Sequence, residues 1–289
     1  MTALDIEIPI HVRNVKMSDI VIYDSAKRGS AALEELRGVL QYRDLVFQLV
    51  RRDVVSRYKR SILGIAWTML QPLGIMIVLT LVFSTLFSSV RGYPTYILSG
   101  LIAWTFFSQT TNAIIAQTVW GGELFRRIYL PRTSFAVSSI GTGLVNAVLS
   151  LVPLFVIMLV TGTSFRWSAL FMPLGLFLLA AFALGIGLII STLAVFFPDV
   201  SEMYQIILLA WMYLTPIIYP EEIIPPTYGY WLFNLNPMYH LVKIFRMPLY
   251  DGLLPDWKTL LAGIFVSLLT LIIGWFVYSR KADEFAYYA

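Results

Sequence analysis

Apolar residues gather along this chain in long unbroken runs separated by short polar stretches. Six runs read as transmembrane helices, each of which needs about 20 mostly apolar residues. They fall at 64–87, 96–117, 135–160, 169–197, 203–219 and 260–278. The fifth is short, closed by Pro216 and Pro220. No Asp, Glu, Lys, Arg or His lies inside any of the six. An ionisable group at mid-bilayer costs about 2.5–3.5 kcal/mol and usually serves a function. Its absence weighs against a proton- or ion-coupled carrier. The pattern predicts an all-α, polytopic membrane protein with six transmembrane helices.

A different periodicity precedes the first run. Leu33, Leu36, Leu40, Phe47, Val50, Val54 and Tyr58 recur at intervals of three, four or seven, which is one face of a helix. Arg37, Arg43, Arg51, Arg52, Arg57, Lys59 and Arg60 lie between them. A basic amphipathic helix that ends at a span is expected to lie along the inner membrane surface. Attraction to anionic lipid is enough to account for its charge. The chain thus divides into a cytoplasmic extension at 1–30, an interface helix at 31–62 and a transmembrane domain at 63–289. The apolar run at 6–10 is too short, and too broken by Glu7 and Pro9, to be a signal peptide.

Two connecting segments stand out. In the loop after the second span, Gly121-Gly122 breaks the helix, residues 123–130 can make about two turns, and Pro131 stops them. A short helix over 122–132, apolar on one side and basic on the other, suits either docking into a partner or a plain solvated connector. The segment 220–259 is divided by prolines and filled with aromatics. Its two short apolar stretches, 230–235 and 238–247, cannot span a bilayer. They suit re-entrant half-helices or an aromatic-belted outer cap.

Composition and charge sharpen this picture. The chain is 58% hydrophobic and 13% charged, against about 45–50% and about 25% in soluble domains. Of its 21 Lys and Arg, 16 fall on the side that holds the N-terminus, so both termini are expected in the cytoplasm. There is no cysteine, and the only two histidines are His11 and His240, far apart. Neither thiolate chemistry nor a His-rich metal site is expected. The dipeptide Gly-Lys never occurs, so no phosphate-cradling loop is present. Glu221 and Glu222 are sequence neighbours, which do not share a helix face, so an acid–base pair there is not expected. Asp199 and Glu202 suit the end of one helix and the cap of the next. Small residues at 181 and 185, and at 183 and 187, allow close helix packing.

Several stretches together carry a resemblance. They are "RRDVVSRYKRSILGIAWTMLQP" after the basic helix, "RRIYLPR" after the second span, and "LTPIIYP" followed by "NLNPMYHLVKIFR" in the outer segment. The chain resembles the membrane subunit of type-2 ATP-binding-cassette exporters, in the branch that exports O-antigen, capsule and teichoic-acid polymers. That resemblance implies a homodimer and a separate ATPase subunit carrying ATP and Mg, with no cofactor and no catalysis in this chain. It implies a lipid-linked polysaccharide substrate and a place in the cytoplasmic membrane among its lipids; no nucleic-acid partner is expected. Glu123, Leu124, Phe125, Arg126, Arg127, Tyr129, Pro131 and Arg132 would couple to the ATPase. Arg52, Asp53, Arg57, Tyr58, Lys59, Arg60 and Trp67 would gate entry and meet the lipid-pyrophosphate. Phe83, Phe87, Trp104, Phe107 and Tyr213 would line a channel. Tyr230, Trp231, Asn236, Pro237 and Arg246 belong to the outer re-entrant segment. The same architecture with a drug or lipid cargo, and a membrane-bound glycosyltransferase or polymerase, stay open as alternatives. The gate role predicts that changing Arg57, Lys59 and Arg60 together to Gln lowers polymer export without affecting membrane insertion; full export would refute it.

Overall fold

The computed structural model describes residues 30–59, 63–64, 66–88, 90–120, 131–163, 165–282 and 284–285. Among these the structure is helical, without a strand. The helices in chain order are α1 (Ala31–Gln41), α2 (Arg43–Tyr58), α3 (Ala66–Phe83), α4 (Tyr93–Trp120) and α5 (Thr133–Thr161). They continue as α6 (Met172–Phe196), α7 (Asp199–Leu214), α8 (Pro226–Asn234), α9 (Pro237–Tyr250) and α10 (Trp257–Lys281). Short 3₁₀ turns at Trp167–Phe171 and Glu221–Ile223 lead into α6 and follow α7.

Four helical segments are long and apolar enough to cross a bilayer: α3, α5, α6 with its leading turn, and α10. The remaining two expected spans depart from that standard for separate reasons. Helix α7 has 16 residues and ends at Leu214, just before Pro216. Helix α4 has 28 residues but carries Ser, Thr, Gln and Asn along its length. Its position explains the tolerance. It lies in the middle of the bundle, against α3, α5, α6 and α9, and the hydroxyls of Ser99, Thr111 and Thr118 donate to the carbonyls of Tyr96, Phe107 and Ile114 in their own helix.

Glycines set the close contacts. Gly185 of α6 faces the Thr270 backbone of α10, and Gly274 of α10 faces the Gly185 carbonyl; a Cβ on either would collide with backbone. Gly187 packs on Ile114 of α4. The small residues of the fourth apolar run therefore serve packing within the chain. As a result α6 with its leading turn is the most enclosed of the four apolar spans, with 61% of its apolar window buried against 11% for α3.

Residues 33–58, read from periodicity as one helix, form two, with the break at Tyr42. Each half docks in a different place. In α1, the Ala32 carbonyl accepts from Trp275 Nε1 of α10 at 3.0 Å, Glu35 accepts from the Thr133 hydroxyl at 2.6 Å, and Gly38 lies against Pro131. In α2, Val50 fits over Gly141 of α5. Leu33, Leu36, Leu40 and Phe47, all on the expected apolar face, are exposed. Helix α3 runs through Pro72 without interruption. The proline removes the donor for the Thr68 carbonyl, and the Ser150 hydroxyl of α5 points there at 3.4 Å.

Beyond α7 the backbone leaves the helix at 215–219, and its carbonyls need donors from elsewhere. Tyr93 donates to Ile218 at 2.9 Å, and Tyr96 to Pro216 at 3.2 Å and Tyr219 at 3.0 Å. Arg246 of α9 donates to Pro216 at 2.8 Å and Ile217 at 3.3 Å. Its guanidinium lies 3.8 Å over the Tyr96 ring and sits where a Cβ on Gly100 would be. Asn236 completes the joint. It caps α9 by accepting from Met238 N, accepts from Trp211 Nε1, and donates to the Leu214 carbonyl and the Thr215 hydroxyl. Arg246→Met should lower stability by about 3 kcal/mol through the orphaned carbonyl and the lost ring contact. Arg246→Lys should recover less than half, because a point charge cannot bridge two carbonyls. The midpoint of thermal unfolding in detergent reads both, and wild-type behaviour of either variant contradicts the assignment.

Candidate functional site

Amides within the apolar helices meet along one edge of α4. The Gln109 amide donates to Gln71 of α3 at 3.3 Å. Gln205 of α7 donates to Asn112 at 2.5 Å. Gln117 donates to Asp53 of α2 at 3.4 Å. Thr105, Gln109 and Asn112 fall three or four apart, so they form one stripe on α4 that α3 and α7 flank, while Gln117 lies off it, toward α2. Gln71, Gln109 and Gln205 are exposed. An exposed amide stripe between apolar helices cannot rest stably against hydrocarbon. It suits water, a polar solute or another copy of the chain.

Part of the stripe, Thr105 and Gln109 with Gln71, lines an alcove of about 490 Å³, walled by α2, α3, α4 and α5. Hydroxyl and amide side chains dominate its lining, and Asp53 is the one charged lining residue. Phe106, Ile102 and Pro72 form its apolar part. A second cavity, about 790 Å³, sits at the other end of α4 around the 216–223 segment and α9. That one is charged, with Arg91, Glu221, Glu222, Lys243 and Asp251 in its walls. Glu221 accepts from Lys243 at 3.1 Å and from Tyr239 at 2.8 Å. Close by, hydrogen bonding from Thr259 holds the Asp256 carboxyl below its usual range and caps α10. No group of three or more His, Asp or Glu able to hold a metal occurs among the described residues.

The residues singled out from sequence are dispersed. Of the gate set, Asp53 turns inward to the alcove, while Arg52 is exposed and holds Asp53 at 2.9 Å. Lys59 and Trp67 are exposed. Arg57 and Tyr58 close α2, but their side chains, and all of Arg60, lie outside the described residues. The same holds for Glu123, Leu124, Phe125, Arg126, Arg127 and Tyr129 of the coupling set. Pro131 and Arg132 precede α5, with Pro131 against Gly38 and Arg132 over the Phe285 ring.

Among the expected channel aromatics, Trp104 and Phe107 are enclosed. Phe107 is 0% exposed and packs with Trp104, Phe182 and Trp211 at centroid distances of 5.4–5.7 Å. Their enclosure follows from α4 being central, with neighbours on most sides of its rings. Phe83 stacks on Phe87 at the end of α3, and Tyr213 is 59% exposed on α7. In the outer segment, Tyr230 and Trp231 are exposed on α8, whereas Asn236 and Arg246 are buried in the joint described above. The amide stripe went unread because only ionisable groups were sought within the spans. Six amides in otherwise apolar runs, at 71, 109, 112, 117, 146 and 205, are the signal that marks it.

Long apolar helices around a polar central helix define a multi-pass membrane protein. The chain belongs to the ABC-2 type transporter family, whose sequence model matches residues 44–250. It is 28% identical over 253 residues to the O-antigen export system permease protein RfbA of Myxococcus xanthus, covering 87% of this chain and 97% of that one. A protein of the same name from Klebsiella pneumoniae is 22% identical, covering 84% and 94%. The polysialic acid transport protein KpsM of Escherichia coli is 27% identical, covering 81% and 92%.

The cysteine-free sequence permits a direct test of the stripe. Gln109→Cys and Gln205→Cys should react with a small water-soluble methanethiosulfonate in native membranes. Val156→Cys, on an exposed apolar face of α5, should not. Equal labelling of all three would mean the stripe is not a distinct wet surface.

Proposed function

We infer that this chain is the permease subunit of an ATP-driven exporter that carries a lipid-linked polysaccharide across the cytoplasmic membrane. The observation that carries this reading is near end-to-end similarity to permeases named for O-antigen export and polysialic acid transport, within a shared transporter family. The amide stripe supports it, since neutral amides hydrogen-bond sugar hydroxyls without selecting for charge. A drug or lipid cargo calls for a mainly apolar path instead.

In this reading two copies pair so that their amide stripes face a shared path rather than lipid. Helices α3 to α7 and α10 make six spans per copy, with α4 shielded from lipid by its neighbours. Helices α8 and α9 are re-entrant and close the outer end, where the charged cavity lies. Both termini face the cytoplasm, and α2 with the following basic residues receives the lipid-pyrophosphate. Residues 123–132 seat in an ATPase subunit whose closure on ATP rearranges the helices. Deleting the chain from its cell should abolish the surface polymer and leave lipid-linked polymer on the cytoplasmic face, and expressing it again should restore export. Unchanged surface polymer, assayed by antibody or lectin on intact cells, would refute the export reading.

A further inference from the structure

The chain leaves α10 through a short charged run, Arg280 to Glu284, and then reaches Phe285. Such a run favours solvent, yet the Phe285 ring is only 1% exposed. A tight turn brings it back. The Glu284 amide donates to the Lys281 carbonyl at 3.0 Å, and the Lys281 ammonium donates to both Glu284 carboxylate oxygens at 2.7 and 2.9 Å. The ring then packs on Tyr278 of α10 and on Phe196, the last residue of α6, at centroid distances of 5.1 and 6.1 Å. The Arg132 guanidinium lies over the same ring, 5.6 Å from its centroid.

Arg132 is the last residue of the segment read above as seating in an ATPase. The described residues on both sides of that segment are held at one end of the bundle. Before it, Thr118 near the end of α4 faces the buried Tyr278 hydroxyl. After it, Pro131 lies against Gly38 of α1, and α1 is tied to α10 through Trp275. Helices α4 and α5 follow the segment through the backbone. Helices α6 and α10 can follow it only through side chains, and Gly185 and Gly274 seat these two backbone to backbone. A plug that merely filled this end would need an apolar neighbour. A cation over an aromatic face is a directional contact, and it strengthens as it is desolvated.

We propose that Phe285 is a positioning residue for export: it clasps Arg132, so that α6 and α10 move with the start of α5 when the ATPase-facing segment is displaced. The proposal rests on the export reading with a separate ATPase. It goes beyond that reading by naming the contact through which displacement reaches helices remote in sequence from the segment.

The test follows tagged full-length variants in the native cells. Surface polymer is read by antibody or lectin on intact cells, chain abundance by immunoblot of membranes, and ATP hydrolysis on the complex purified through the tag. Phe285→Leu keeps apolar bulk and removes the ring face. It should lower surface polymer per chain about fivefold, the scale of one partly buried cation–π contact, while ATP hydrolysis per chain stays within about twofold of wild type. Arg132→Gln should also lower export, and Arg132→Lys, which keeps a cation, should lose less. Phe285→Leu with Arg132→Gln should export no less than Arg132→Gln alone, because both act through one contact. A merely structural role would instead lower chain abundance in step with polymer and leave export per chain and per ATP unchanged. That outcome, normal export by Phe285→Leu, or additive losses in the double variant would overturn the clasp. Should Phe285→Leu fail to accumulate, equal export by Arg132→Gln and Arg132→Lys would overturn it. If surface polymer is independent of the chain, or no ATP hydrolysis copurifies with the wild type, the export reading falls and the clasp with it. If both hold and Phe285→Leu exports normally, only the clasp falls.

Discussion

A bare stretch of backbone between α7 and α8 governs much of this architecture. Once Pro216 stops the helix, four successive carbonyls, from Pro216 to Tyr219, lose their helical donors. In so apolar a chain each unpaired group would cost several kcal/mol. Tyr93 and Tyr96 on α4 and Arg246 on α9 supply the missing bonds. That requirement fixes a good deal else. Arg246 can reach the carbonyls only if α9 lies deep in the bundle. This in turn needs Gly100 beneath the guanidinium, Gly175 against the Phe245 backbone and Gly263 against Ile244. Asn236 closes the same joint from the other side by tying the ends of α7 and α9.

Polar groups elsewhere in the bundle sort by reach. A Ser or Thr hydroxyl can bond a carbonyl one turn back in its own helix, so many such residues in α4 and α6 make no demand on their neighbours. Gln and Asn carry both a donor and an acceptor farther from the backbone. Their partners come from other helices: Gln71 with Gln109, Gln205 with Asn112, and Gln117 with Asp53. These cross-helix pairs gather where α2, α3 and α7 meet α4. The polar stripe and the hydroxyl-lined alcove it opens onto therefore form where polar residues of α4 meet those of α2, α3 and α5.

Much of the helical plan was legible along the chain. Long apolar runs, the stop at Pro216, the two short helices near 226–250 and the small residues of α6 all leave local signatures, because helix length, proline geometry and glycine spacing act between near neighbours. The break at Tyr42 was not legible. Its cause is that α1 docks on α10 and the start of α5 while α2 docks farther along α5, and neither partner is close in sequence. The burial of Trp104 and Phe107 was not legible for a related reason. An aromatic ring in an apolar run looks the same whether it faces lipid, a channel or another helix.

The sequence by itself determined a multi-span helical membrane protein with a basic approach to its first span, since hydropathy and charge are sums over local composition. Its motifs further pointed to a transporter family, and the family model bears this out. Only the tertiary structure decided that Arg246 is a buried clasp, that Asp53 turns inward, and that amides from α3, α4 and α7 meet one another. Those outcomes depend on which helices become neighbours, and that is settled by packing across hundreds of residues rather than by any local pattern.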